Sequence, residues 1–148
     1  MLKPTKILVP TDFSEYSDKA LKQALDIAKQ YNARVYLLHV VPPFRDFGGG
    51  DYVLNYEVIK AAEKQDENVS AERIKKQLDK FPQAQEVEVV TDIIRGLAYE
   101  EILKEADEKG IDLIVIASLG QSGLAKYIIG SVARNVLRGA KCPVLLTK

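Results

Sequence analysis

The sequence predicts an α/β fold, a doubly wound domain whose helices cover both faces of a five-stranded parallel sheet. Three observations carry this. Short apolar runs rich in β-branched residues alternate with longer segments of helical period, the pattern of βαβ units. The short runs are nearly continuous in apolar character, as strands buried on both faces are. The 148 residues, 47% hydrophobic and 28% charged, match the size and composition of one globular domain. One domain spanning residues 1–148 is therefore expected.

The first strand is expected at residues 6–9. Ala20, Leu21, Ala24, Leu25, Ala28 and Tyr31 then fall on one helical stripe. Thr11, Asp12 and Ser14 stand just upstream, where short polar side chains cap helices. Asn32 marks the stop. The second strand, 34–41, leads into a proline- and glycine-rich stretch, 42–51. That stretch reads as a connector, with a flap over the sheet edge as the functional alternative. A second helix is expected from about 55 to 80, with Val58, Ala62, Val69, Ile74 and Leu78 as its imperfect stripe and Pro82 beyond it. The third strand, 87–91, precedes a helix that starts near Leu97, carries Ala98, Ile102, Leu103 and Ala106, and ends before Gly110. The fourth strand is 113–117. A last helix begins at Ser131 with Val132, Ala133, Val136 and Leu137 on one side, and Gly139 and Pro143 precede the final strand, 144–147. Each crossover is expected to be right-handed.

Lys plus Arg and Asp plus Glu both total 21, so the formal charge is zero. That balance argues against nucleic acid or an anionic membrane as partner, and it is compatible with an oligomer. One cysteine, Cys142, and one histidine, His39, exclude an intrachain disulfide and a multi-histidine metal site. The residues after Met1 lack a signal-peptide apolar run, and no stretch approaches the ~20 apolar residues of a membrane span. A soluble cytoplasmic protein is the expectation.

Parallel sheets bind ligands beyond the carboxyl ends of their strands, so the residues that follow each strand are the candidates. After the fourth strand come Ala117, Ser118, Leu119, Gly120, Gln121, Ser122 and Gly123, and Gly130 stands directly before Ser131 and a helix. Glycines let backbone amides approach a ligand. A helix N-terminus adds unpaired N–H groups and a positive dipole end. The Ser131 hydroxyl would cap its helix and also donate to a phosphate oxygen. These features suit a phosphate cradle without a lysine, although the glycines also make sense as turns. Neither a P-loop nor a GxGxxG pattern is present. Asp12 after the first strand reads equally as a ribose acceptor and as an Asx-turn or cap. His39 reads as a satisfied core or edge histidine, and Cys142 as a small buried hydrophobe.

Three stretches resemble the universal stress protein family: Lys6-Ile7-Leu8-Val9-Pro10-Thr11-Asp12-Phe13-Ser14, Leu37-Leu38-His39-Val40, and the last third. That last third runs from Gly120-Gln121-Ser122-Gly123-Leu124 through Ile129-Gly130-Ser131-Val132-Ala133 to Cys142-Pro143-Val144-Leu145-Leu146. The resemblance implies a Rossmann-like sheet of strand order 3-2-1-4-5, of the adenine nucleotide alpha hydrolase-like kind. It implies binding of an adenine nucleotide, ATP first and ADP or AMP otherwise, with Mg²⁺ as a further expectation. The family's ATP-binding branch carries Gly-x2-Gly-x9-Gly-Ser/Thr. Gly120 and Gly130-Ser131 fit it, while Ala117 stands at the first glycine and Leu119 at a common histidine. Carried over, Asp12 holds the ribose, Val40 meets the adenine edge, and Pro10 and Thr11 line the base or sugar pocket. Gly120, Gln121, Gly130, Ser131 and Val132 hold phosphates, with Ala117 beside them.

The resemblance also implies a stress-response regulator that forms a homodimer through Val144–Thr147. The sequence offers no clear base for water and no obvious acidic metal pair, which leaves at most a slow ATPase as the expectation. The alternative is a dimeric interaction module of the same family without nucleotide, which Ala117 and Leu119 favour.

Overall fold

The structure, a computed structural model, describes residues 1–43, 56–120 and 129–148. The elements are β1 (Lys6–Pro10), α1 (Glu15–Tyr31), β2 (Arg34–Val41), α2 (Tyr56–Asp79), a 3₁₀ turn (Pro82–Gln85), β3 (Val89–Arg95), α3 (Ala98–Lys109), β4 (Leu113–Ala117), α4 (Ser131–Gly139) and β5 (Val144–Thr147). The sheet has order β3-β2-β1-β4-β5, and every neighbouring pair is parallel. This is the architecture and strand order expected. Most of the 42–51 stretch lies outside the described residues, as do Gln121, Ser122 and Gly123.

The two sheet faces carry separate cores. On one, Ile7, Val9, Val35, Leu37 and Val115 meet Ala20, Leu21, Ala24, Leu25 and Ala28 of α1 and Ile74 of α2. On the other, Leu8, Leu38, Ile114 and Ile116 meet Ile102 and Ala106 of α3 and Ala133 and Val136 of α4. Alternate residues of β1 therefore feed opposite cores, as the two-residue strand period requires. Ser14 caps α1, its hydroxyl accepting from the Ser17 amide. Asn32 (φ 56°) and Gly110 (φ 64°) end α1 and α3 in the left-handed conformation, which asparagine and glycine adopt more easily than other residues.

Four sequence expectations shift. β3 starts at Val89 and runs to Arg95 rather than spanning 87–91. Asp92 and Arg95 lie inside it, opposite Leu38 and Val41. β3 is an edge strand, so it tolerates the polar residues that would end a central one. Val58 and Val69 are 54% and 47% exposed, because α2 buries Ser70, Ile74 and Gln77 instead. Tyr31, at the end of the α1 stripe, is likewise exposed. Gly130 is the N-cap of α4 and Ser131 its first residue, with no side-chain capping bond.

The amino end of β1 is clamped by Asp112. Its carboxylate accepts from the Thr5 amide at 3.0 Å, the Lys6 amide at 3.0 Å and the Thr5 hydroxyl at 2.6 Å. Burial works to raise its pKa, but these bonds outweigh burial and hold it below the ordinary aspartate value.

Glu105 of α3 is 4% exposed. Burial, then the neighbouring Asp92 carboxylate, raises its pKa, with Lys109 opposing. The folded chain thus keeps this proton to a higher pH than the unfolded chain. That contribution to stability is full below the ordinary glutamate value and is lost as pH rises through the raised one. Glu105→Gln, which keeps the neutral shape, is expected to raise Tm at pH 8 and to leave it nearly unchanged at pH 4. Thermal melts of both chains across that range check this.

Candidate functional site

β1 and β4 are neighbours in the sheet, yet the chain leaves β1 through α1 on one face and β4 toward α4 on the other. This is the topological switch point, where a doubly wound sheet leaves a crevice at its carboxyl edge. A cavity of about 290 Å³ opens there. Pro10, Thr11 and Asp12 enter it from the end of β1, and Leu38, His39 and Val40 from β2. The end of β4 contributes residues 116–120, the start of α4 residues 130–133, and α3 adds Ala98 and Ile102.

Nine of the residues expected at a site line this one cavity: Pro10, Thr11, Asp12, Val40, Ala117, Gly120, Gly130, Ser131 and Val132. Gln121, the tenth, lies outside the described residues. Ser17, Ala98 and Ile102 were not anticipated, and Ser118 was expected only as one of the residues that follow the fourth strand. Ala98 and Ile102 arrive by packing of α3, which leaves no local pattern to read, whereas Ser118 follows a strand and carried the same positional signal as its neighbours.

The turn after β1 is built by side chains. Asp12 Oδ1 accepts from the Ser14 amide at 3.0 Å and from the Ser14 hydroxyl, the Asx-turn that its position suggested. The Thr11 hydroxyl accepts from the Phe13 amide at 3.1 Å. Between them Phe13 is held at φ +64°, a region costly for a bulky side chain. The Phe13 ring lies 4.3 Å from the His39 ring. His39 Nδ1 donates to the Thr11 carbonyl at 2.8 Å. A carbonyl only accepts, so this bond places the proton on Nδ1 and leaves Nε2 as the acceptor. Burial, aided by the Arg73 charge and opposed by the Thr11 carbonyl and Asp12, lowers the His39 pKa and favours this neutral form.

Across the crevice, the Gly130 amide donates to the Ser118 carbonyl at 2.7 Å and ties α4 to the end of β4. The first intrahelical donor is the Arg134 amide, bonded to the Gly130 carbonyl at 3.0 Å. The amides of Ser131, Val132 and Ala133 therefore precede any helical acceptor, at the helix end, and their residues line the cavity. They supply donors and a positive dipole end without a charged side chain. Ala117 closes β4 opposite Thr147 and is not among the positive-φ residues, so its methyl group needs no strained backbone.

Gly120 meets a tighter demand. A Cβ there would stand 2.8 Å from Asp12 Oδ2. At Gly130 the nearest atom would be the Ser118 carbonyl oxygen at 3.4 Å, an ordinary contact. Bare backbone at Gly120 thus brings the β4 loop against the Asp12 carboxylate. Among the described residues, no cluster of three or more His, Cys, Asp or Glu could hold a metal ion. No helix among them is long and apolar enough to cross a membrane.

Sheet order and crevice together define a doubly wound α/β protein with a ligand-sized cavity at its switch point. The chain belongs to the universal stress protein family, whose model matches residues 4–148. Universal stress protein MJ0531 of Methanocaldococcus jannaschii is 35% identical over 143 residues, 97% of this chain and 81% of that protein. The solved structure of MJ0577, from the same organism, superposes with a TM-score of 0.73 at 32% identity, covering 99% of this chain and 97% of that one. UspA of Lactobacillus plantarum shares the fold with a TM-score of 0.80 at 24% identity over the full length of both chains. Two further structures of the same fold are universal stress proteins in complex with cAMP (TM-score 0.67, 23% identity, covering 99% and 98%) and, from Archaeoglobus fulgidus, with dAMP (0.64, 23%, 99% and 100%).

The two glycines should respond differently to a methyl group. Gly120→Ala is expected to swing the Asp12 side chain out of its turn, costing about 1 kcal/mol, or about 3 °C in Tm. Gly130→Ala should cost less than half of that. Melting curves of the two variants test the ranking.

Proposed function

We propose that this chain binds an adenine nucleotide, ATP first, in the switch-point cavity, and acts as a regulatory stress protein of the cytoplasm. The supporting observation is the convergence of the ends of β1, β2 and β4 and the start of α4 on one cavity that joins a carboxylate to a helix N-terminus. The ligands of the cAMP- and dAMP-bound relatives agree in chemical class with that pairing.

In this reading the Asp12 carboxylate accepts the ribose hydroxyls, and the Val40 backbone meets the adenine edge. Pro10 and Thr11 line the base or sugar pocket. The phosphates meet the backbone of Gly120 on one side and the amides of Ser131 and Val132 on the other, with Gly130 and Ala117 beside them; Gln121, also expected to hold them, lies outside the described residues. Phosphate oxygens carry the negative charge, so dipoles and amides aimed at them are the chemistry required. Mg²⁺ would arrive with the phosphates, with Asp12 as the nearest carboxylate.

Isothermal titration with ATP and Mg²⁺ is the test. Saturable binding of one nucleotide per chain is expected, with affinity falling about tenfold in Asp12→Asn, the loss of one charge-assisted bond. Absence of any heat or melting shift at millimolar ATP would instead favour the nucleotide-free interaction module.

We further propose a homodimer through β5. This strand ends the sheet, and its Leu145 is 37% exposed, an apolar edge that invites pairing. Light scattering is expected to give twice the chain mass, and Leu145→Lys to shift it toward the monomer.

A further inference from the structure

We propose that Gln77 and Arg73 of α2 are positioning residues for the nucleotide cavity, holding the turn after β1 in its binding shape and thereby linking occupancy to the docking of α2. The proposal rests on the nucleotide reading above for its ligand. Its structural half stands on contacts alone.

No described residue of α2 lines the cavity. Two of its side chains nevertheless reach the turn that does. Gln77 is 3% exposed, and its Oε1 accepts from the Thr11 hydroxyl at 2.9 Å. Its Nε2 donates to Asp18 Oδ1 at 2.8 Å, while Asp18 Oδ2 receives Lys80 at 2.9 Å. The same Thr11 oxygen accepts from the Phe13 amide. The single Thr11 hydroxyl proton has Gln77 Oε1 as its nearer acceptor and Ser17 Oγ, at 3.1 Å, as its other, both away from Phe13, so the lone pairs stay available to the turn. One turn earlier in the same helix, the Arg73 guanidinium lies 4.4 Å from the centroid of the Phe13 ring, and the ring rests in turn on His39.

Phe13 is where such support is needed. Its backbone occupies the left-handed region, and a bulky residue stays there only when its surroundings over-determine it. Asp12 precedes it, so the direction of the carboxylate depends on the turn keeping this conformation. Remove the α2 contacts, and the turn gains access to ordinary dihedrals with Asp12 aimed elsewhere. Linkage is reciprocal: if docked α2 favours nucleotide, nucleotide must favour docked α2 by the same factor.

The full chain and its variants Gln77→Leu, Arg73→Ala and Arg73→Lys are to be compared by amide hydrogen exchange, with and without Mg²⁺-ATP, and by titration well below Tm. Without nucleotide, Gln77→Leu is expected to speed exchange at Phe13 and Ser14 by about tenfold, the loss of the Thr11–Gln77 hydrogen bond, the one of its bonds that reaches the turn. Affinity should fall by about the same factor. Saturating ATP should slow exchange across residues 70–78 in the unmodified chain and not in Gln77→Leu, a coupling that a merely stabilising residue would not produce. Arg73 is exposed, so Arg73→Ala tests the idea without risk to folding. It should loosen the same turn, and Arg73→Lys should restore part of the loss.

Unchanged exchange at Phe13 and Ser14 in both Gln77→Leu and Arg73→Ala overturns the positioning role, as does faster exchange with unaltered affinity. If the unmodified chain binds no ATP, the nucleotide reading fails, while the exchange measurements without ligand still decide whether α2 holds the turn.

Discussion

Two parallel strands that lie side by side but send their chains to opposite faces cannot have the space beyond their carboxyl ends closed by either connection. β1 and β4 stand in that relation, and the other features of the crevice answer to it. Their neighbours β2 and β5 extend the sheet outward, so the gap falls at its centre, where strands buried on both faces are most rigid. The helix that follows β4 must start beside the gap, and its first amides therefore precede any acceptor in their own helix, next to the cavity their residues line. Polar groups left in such a place are costly unless water or a ligand pairs with them. The strand order thus places a helix N-terminus beside a cavity before any particular side chain is chosen.

Side chains then specialise the two walls. The β1 side is built from short polar residues, Thr11, Asp12 and Ser14, that bond to the backbone of their own turn. The β4 side is built from the absence of a side chain at Gly120 and from the bond between Gly130 and Ser118. A carboxylate against bare backbone and a helix end across from it make a polarised cleft with negative and positive ends. Neutral His39, its proton committed to Thr11, forms a floor between them.

Much of this was legible in the sequence. Continuous apolar runs identified β1, β2 and β4 because a two-sided burial leaves no room for polar residues, and β5 because its short run is apolar although it lies at the sheet edge with none of its residues fully buried. Asn32 and Gly110 announced helix ends through the backbone conformation they tolerate. β3 was misplaced because an edge strand can carry Asp92 and Arg95, and a pattern tuned to buried strands stops at the first charge. In α2, Val58 and Val69 were given the core positions that belong to Ser70 and Gln77. A buried glutamine is invisible to hydrophobic periodicity, since what admits it is a set of partners contributed by α1 and the end of β1. The cavity residues Ala98 and Ile102 were hidden for a related reason: packing against a distant strand has no local signature. The resemblance supplied the strand order and the identity of the site residues, neither of which periodicity can provide.

Asp112 and Asp12 sit near opposite ends of β1, about a strand's length apart, and do different work. The first gathers the backbone of Thr5 and Lys6 into a fixed anchorage; the second belongs to the rim of the crevice. Such a division lets the chain's foundation and its working edge change separately in evolution. Substitutions that retune what the rim accepts need not loosen the footing, and a relative could drift in ligand preference while inheriting the same chassis.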